Sequence, residues 1–275
     1  MPELPEVETI VRGLASVLPG RTIQAVRILD PKLAVGLSIN PSRLAGRTFV
    51  SVSRFGKYIR FALDDGSSLV AHLRMTGKFV YSPDAAPSGG WPGERHLRLE
   101  VSFSDGSRLF FRDMRRFGTI RHVPAGETPA EMQATAPDPL SPGMDDARFA
   151  GMLAGSRQAV KILLLDQHRI SGIGNIYACE SLFRAKIDPA RGGNTLSLAE
   201  SRRLLREVRA ILREAIRHNG TTISDFRSVD DKTGDFQNWL RVYDRTGQPC
   251  RGCGTPIARI RQGQRSTWFC PHCQH

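Results

Sequence analysis

The sequence predicts an α+β chain: one leading helix, an N-terminal β-sandwich or flattened barrel, a helical second half and a terminal hairpin. Three observations predict it. Alternating apolar runs punctuated by Asp-Gly fill residues 21–123. Helical spacing takes over beyond a stretch rich in Pro, Ala and Gly. Two CxxC pairs, Cys250/Cys253 and Cys270/Cys273, stand at the C-terminus.

Each element has its own warrant. Val7, Ile10, Val11, Leu14 and Leu18 fall at helical spacing over 5–18, and Pro19-Gly20 stops that helix. Pro2 and Glu3 therefore sit just before its positive end. KYIRFAL (57–63) and SLVAHLRM (68–75) flank Asp65-Gly66, and LRLEVSF (97–103) and RLFFRD (108–113) flank Asp105-Gly106. Asp-Gly between alternating runs signals a hairpin. SPDAAPSGGWPG (82–93) reads as a loop. The expected organisation is a sandwich domain over 1–123, a linker over 124–143, a helical domain over 144–235 and a metal-held region over 236–275. Helices are expected over 159–166, 176–186 and 198–218, the last opened by a Ser197/Glu200 capping box and ended by Gly220.

Composition narrows the function classes. The chain has 275 residues, 39 Lys and Arg against 27 Asp and Glu, and so a net charge of +12. Such an excess points to a polyanion, most simply nucleic acid. The N-terminus is acidic and lacks the apolar core of a secretory signal. No stretch approaches the ~20 apolar residues of a membrane span. A cytoplasmic protein with no membrane partner is the expectation. Four of the five cysteines stand in the CxxC pairs, which fits a metal in a reducing compartment.

Several residue groups can carry chemistry. Removal of Met1 leaves Pro2 as a terminal secondary amine, with a pKa near ~8. Such an amine can attack an aldehyde carbon and form an iminium ion, an electron sink for breaking a bond β to it. Glu3 and Glu6 stand beside it to move protons. The CxxC pairs, sixteen residues apart, match a closed tetrahedral zinc site. One structural Zn2+ and no organic cofactor are expected. The intervening residues read as a hairpin turning near Gly263, projecting Arg261 and Arg265. Ser171-Gly-Ile-Gly-Asn175 precedes a helix and can hold one phosphate on backbone N–H groups; such a glycine pair can equally be a plain turn. Lys57 follows Phe55-Gly56, and His72 and Arg74 alternate on one strand face. Met75, Arg115 and Phe117 form an apolar wedge with a guanidinium, the parts needed to replace an extruded base. Met75 and Phe117 can also be core residues.

Taken together, PELPEVET (2–9), GKY around Lys57, HLRMTG (72–77), RRFG (115–118), GIGNIYACESLF (172–183), GTT (220–222) and QRSTWFC (264–270) resemble the formamidopyrimidine-DNA glycosylases. The resemblance runs through nearly the whole chain. It implies a β-sandwich whose N-terminal helix carries the catalytic end, a helix–two-turn–helix domain and a zinc-finger hairpin. It implies Pro2 as nucleophile on C1′, Glu3 as the acid that opens the sugar, Lys57 as proton donor in β-elimination and Arg265 in δ-elimination. Asn175 and His72 would hold the kinked backbone, and His96, Arg115 and Arg157 would touch DNA. Met75, Arg115 and Phe117 would fill the void, and GTTISDFR (220–227) would cover the flipped base. One departure stands out: Met114 occupies the place of the family's usual proline, which frees φ and restores an N–H.

The resulting expectation is a monomeric bacterial glycosylase and abasic-site lyase, nucleoid-associated, acting on double-stranded DNA with oxidised purines such as 8-oxoguanine and formamidopyrimidines. An endonuclease VIII type, which prefers oxidised pyrimidines, begins Pro-Glu-Gly-Pro-Glu where this chain has Pro-Glu-Leu-Pro-Glu. A non-catalytic zinc DNA-binding protein would need no free Pro2 amine.

Overall fold

The computed structural model describes residues 2–30, 39–83, 96–221 and 234–275. Most of the 82–93 loop and residues 222–227 of the GTTISDFR segment lie outside the described residues. The chain divides into two compact units, Met1–Met132 with Asn219–Asp235, and Gln133–His218 with Phe236–His275.

The first unit opens with helix α1 (Leu4–Val17), one residue ahead of the predicted start, with Glu3 at its N-cap. Strand β1 (Ile23–Ile28) and a short helix α2 (Pro41–Leu44) follow. Then come β2 (Phe49–Phe55), β3 (Tyr58–Leu63), β4 (Ser68–His72), β5 (Gly77–Ser82), β6 (Leu97–Phe103), β7 (Arg108–Asp113) and β8 (Thr119–Val123). They form two four-stranded sheets, β1-β6-β7-β5 and β2-β3-β4-β8, paired antiparallel throughout, so the sandwich is the correct form of the prediction.

Twin turns explain two of the hairpins. Asp65 accepts the Ser67 N–H at 2.9 Å, and Asp105 accepts the Ser107 N–H at 2.9 Å. Gly66 (φ +81°) and Gly106 (φ +88°) supply the left-handed backbone each turn requires. Between the sheets, Phe49, Phe61, Phe79, Phe103 and Phe111 form a chain of ring contacts with centroids 5.0–5.9 Å apart. Val26, Leu99, Val101 and Ile120 are buried in the same core.

The predicted strand over 68–75 ends early. β4 stops at His72, and Arg74 lies in the following turn at φ +54°. All five residues of β4 are buried, so alternation is lost. This is the signature of an inner strand covered on both faces.

After a short helix α3 (Ala130–Gln133), the second unit contains α4 (Asp146–Ala154), α5 (Val160–Leu165), α6 (Asn175–Arg184) and α7 (Leu198–Arg217). Asp145 caps α4, and the predicted Ser197/Glu200 box caps α7. Leu204, Leu205, Val208, Ile211, Leu212 and Ile216 form the buried stripe of α7. The terminal hairpin is β9 (Ala258–Gln262) with β10 (Arg265–Phe269), turning at Gly263 as predicted.

Candidate active site

In the first unit, chemistry gathers at the head of α1. Pro2 is buried, and Glu3 is 3 % exposed. The Glu6 carboxylate secures this end from two sides. Its Oε2 accepts the Glu3 N–H at 2.8 Å, and its Oε1 accepts the Thr221 N–H at 2.8 Å and the Thr221 hydroxyl at 3.0 Å. Gly220 has φ +79°, a left-handed backbone that favours glycine, and a Cβ there would lie 2.8 Å from Glu6 Oε1. Glu6 thus ties the residue beside Pro2 to a segment more than two hundred residues away. The sequence places Glu6 beside Pro2 as a proton carrier or a plain helix-end acid, and nothing local signals its distant partner.

Lys57 is buried in the two-residue turn between β2 and β3, where Phe55 pairs with Tyr58 and Gly56 has φ +56°. It sits in that turn rather than at the start of a strand. Arg54 links this turn to α1: its Nε donates to Glu8 at 2.8 Å and its Nη1 to the Gly56 carbonyl at 3.0 Å. Burial works to raise the Glu8 carboxyl, but Arg54 and Arg12 together hold it below its usual range.

His72 ends β4 on the strand beside Tyr58, its ring 4.7 Å from the Tyr58 ring. Burial, helped by the charges of Arg74 and Lys57, lowers its pKa to about 3. Its Nδ1 accepts the Arg74 N–H at 3.0 Å. The ring is therefore neutral and its proton sits on Nε2.

Met75, Arg115 and Phe117 are exposed, by 42 % for Met75 and 52 % for Phe117. Arg115 Nη1 donates to Met75 Sδ at 2.9 Å, and its guanidinium lies 5.0 Å from the Phe117 ring centre. The three predicted wedge residues therefore touch one another at the surface, not in the core. Met114, beside them, is also exposed. His96 is half-exposed just before β6.

The second unit carries the other predicted residues. Asn175 is the first residue of α6, after Gly172 (φ +87°) and the N-cap Gly174. Gln167 holds the preceding loop: its Oε1 accepts the Gly172 N–H at 3.0 Å and its Nε2 donates to the Ile173 carbonyl at 3.0 Å. Asn175 Nδ2 donates to the Ser266 carbonyl at 3.0 Å, and Lys161 Nζ donates to the same carbonyl at 3.4 Å. One amide hydrogen of Asn175 thus holds the hairpin beside Arg265. Arg157 and Arg265 are exposed.

The sulfurs of Cys250, Cys253, Cys270 and Cys273 lie within 4.8 Å of one another. Four thiolates around zinc at about 2.3 Å require sulfur separations of this order. The four cysteines therefore fit one closed structural Zn2+, and Cys179, buried on α6, stays outside the set.

Comparison with known proteins agrees along the whole length. Residues 1–120 match the formamidopyrimidine-DNA glycosylase N-terminal domain, 135–227 its H2TH domain, and 247–275 the zinc finger found in FPG and IleRS. The formamidopyrimidine-DNA glycosylase of Acidothermus cellulolyticus is 43 % identical over all of this chain and 97 % of its own. That of Geobacillus kaustophilus is 41 % identical over the full length of both. The crystal structure of the MutM (Fpg) protein of Thermus thermophilus superposes with a TM-score of 0.86 at 40 % identity, covering 99 % of this chain and 98 % of that one. A Lactococcus lactis Fpg mutant in complex with Fapy-dG-containing DNA superposes with a TM-score of 0.89 at 33 % identity over both full chains.

Proposed function

The chain belongs to the formamidopyrimidine-DNA glycosylase family, and from that footing we propose that it removes oxidised purines from duplex DNA and then nicks the strand as a lyase, through a Pro2 iminium. The observation that carries this reading is the buried Pro2–Glu3 head of α1, anchored by both oxygens of Glu6. With Met1 removed, the Pro2 nitrogen bonds to C1′ of the damaged nucleotide. Glu3 protonates the opening sugar, the C1′–base bond breaks and the base leaves. The resulting iminium accepts the electron pair freed when a C2′ proton is lost, and the 3′ C–O bond breaks. A second elimination breaks the 5′ C–O bond and leaves phosphate at both strand ends. Lys57 delivers protons in the first elimination, and Arg265 binds phosphate and serves the second as a fixed positive charge. A flipped nucleotide is required, because a terminal amine cannot reach C1′ inside a stacked duplex.

His72, His96, Arg157 and Asn175 hold the backbone. Met75, Phe117 and Arg115 fill the vacated stack, and Arg115 faces the orphaned base. Zinc on Cys250, Cys253, Cys270 and Cys273 orders the hairpin that bears Arg265 and takes no part in bond breaking. Every named part comes from one chain, so the active form is a monomer. Among the described residues, no helix is long and apolar enough to cross a membrane.

The test is borohydride trapping on 8-oxoguanine duplexes. A covalent adduct should map to Pro2, and Glu3→Gln should lose base excision while still binding DNA. Full trapping in protein that retains Met1 would refute Pro2 as nucleophile.

A further inference from the structure

The tips that carry Met75 and Arg115–Phe117 leave the sandwich from different strands, yet one buried carboxylate holds both. Asp113 ends β7 and is fully buried. Its Oδ1 accepts the Thr76 hydroxyl and the Arg115 N–H, the latter at 3.2 Å. Its Oδ2 accepts the Gly118 N–H at 2.7 Å. The Thr76 hydroxyl oxygen also accepts the Arg115 N–H, at 2.9 Å. Arg98 Nε donates to the Asp113 carbonyl at 2.8 Å, so the main chain of Asp113 is tied down as well.

The surroundings leave little freedom. Each tip contains a non-glycine residue in left-handed backbone, Arg74 at φ +54° and Arg116 at φ +60°. Such a residue needs its neighbours to hold it there. Arg116 is held through its guanidinium, whose Nε lies 2.8 Å from Asp30. Each tip also closes on a glycine with no room for a side chain. A Cβ on Gly77 would lie 2.5 Å from the Leu73 carbonyl, and one on Gly118 would lie 2.6 Å from Phe111 and 3.0 Å from Asp113 Oδ2.

We propose that Thr76 and Asp113 form a clip that joins the two tips into one body, so that Met75 enters the base stack and Arg115 meets the orphaned base in a single fixed geometry. The inference rests on the wedge reading of Met75, Arg115 and Phe117. Thr76 and Asp113 are positioning residues. They touch no DNA in this account; they set where the guanidinium points. A loose guanidinium finds acceptors on any base, whereas a held one selects the partner whose acceptors lie in its plane. Cytosine offers O2 and N3 together; adenine offers fewer in reach. The clip also explains how the chain tolerates Met114. A proline there would fix φ, and hydrogen bonds to Asp113 and Arg115 restrain the backbone on both sides of Met114 instead.

The test compares Thr76→Val, which keeps shape and loses the hydroxyl, with Thr76→Ser, which keeps the hydroxyl. Three readouts are needed: excision opposite cytosine and opposite adenine, cleavage of a preformed abasic site, and exchange of the Arg115 amide in the free protein. Thr76→Val should lower the cytosine-to-adenine ratio about three- to tenfold, the worth of one hydrogen bond. It should speed Arg115 amide exchange and leave abasic-site cleavage near its original rate. Thr76→Ser should restore both the ratio and the protection. An unchanged ratio in Thr76→Val, alongside a ratio flattened by Arg115→Ala, would overturn the clip and leave the wedge standing. An unchanged ratio in Arg115→Ala would remove the wedge reading itself, and the clip with it. The exchange measurement needs no DNA, so slow Arg115 exchange in a folded Thr76→Val chain also overturns the proposal.

Discussion

The wedge tips and the finger hairpin both display an arginine on a short exposed turn, but they are made rigid by different means. The tips stand on the sandwich, whose aromatic core lies directly beneath them: Phe111 both packs in that core and abuts Gly118. On such a base, the tips are held by a few polar contacts centred on the Asp113 carboxylate and the Thr76 hydroxyl. The hairpin that bears Arg265 has no such base. Its buried cluster consists of Cys179, Val242, Cys250, Ile257, Trp268 and Cys270. A cluster this small cannot offset the entropy of ordering the segment. The four-cysteine site takes the place of the missing core, and side chains of α5 and α6 finish the job through Lys161 and Asn175 on the Ser266 carbonyl. A displayed side chain needs either a core below it or a staple beside it, and this chain uses one of each.

The sharpest way to break that contrast is to remove the metal. Chelation, or Cys250→Ser, takes away a binding energy of about 10–16 kcal/mol at neutral pH. Amide protection over 258–269 should collapse, and DNA affinity should fall with the loss of a fixed Arg265. The sandwich should keep its melting behaviour. Zinc added back should restore the hairpin in the chelated protein. A zinc-free chain whose β9–β10 amides stay protected would show that the small cluster suffices after all.

A second staple lies at Glu180, and its removal should have the next largest effect. This residue is fully buried on α6, and its carboxylate accepts the N–H groups of Arg241, Val242 and Tyr243 at 2.8–3.0 Å. Burial raises its pKa, against the pull of those three donors and of Arg184. Glu180→Ala would strand three donors where the chain leads into the finger and should cost about 3–5 kcal/mol in denaturant unfolding. Glu180→Gln keeps one accepting oxygen and should cost less. Equal stability of the alanine variant and the parent would show that the 241–243 segment is held by packing alone.

What could be read in the sequence divides along the same physical line. The CxxC spacing, the two Asp-Gly-Ser turns, the capping box of α7 and the turn at Gly263 are local patterns, and each is where the sequence placed it. Together with the alternating and helical apolar spacing they predict an α+β chain, and the resemblance implies the helix–two-turn–helix. Contacts between distant residues left no such trace. Glu6 meets Thr221, and Thr76 meets Asp113, with no spacing rule to announce either. The alternation of HLRM places Arg74 on a strand face, but the strand ends at His72 and the turn takes over. The protonation state of His72 is likewise hidden in the sequence, since it depends on the burial of its ring, which alternation does not announce.

The arginine of the finger and the histidine of the sandwich provide a third, gentler test. Arg265 is exposed and always charged, so Arg265→Ala should lower the log–log salt slope of DNA binding by about 0.9, one phosphate's worth. An unchanged slope would mean that the finger holds no phosphate by charge. A neutral His72 would grip the backbone by its Nε2–H dipole and not by charge. His72→Ala should therefore weaken binding while leaving the slope as it was.

The smallest effect expected concerns pH, and its sign follows from the buried ring. His72 titrates near its ordinary value of 6.5 when unfolded and at about 3 when folded. The unfolded chain therefore binds more protons throughout that window, and stability rises with pH across it. As pH falls below about 6.5, the native protein should lose stability from this group at up to about 1.4 kcal/mol per unit. His72→Gln has no such group, although it loses the contacts of the ring at every pH. Its deficit against the parent should therefore shrink between pH 7.5 and pH 5.0, as followed by melting of the sandwich. DNA affinity, measured at fixed salt, should show no inflection near pH 6.5 that disappears in His72→Gln. An inflection of that kind, or a deficit that stays constant from pH 7.5 to 5.0, would mean that the ring is charged in the folded protein. The sandwich would then hold phosphate by charge, as is proposed for the finger.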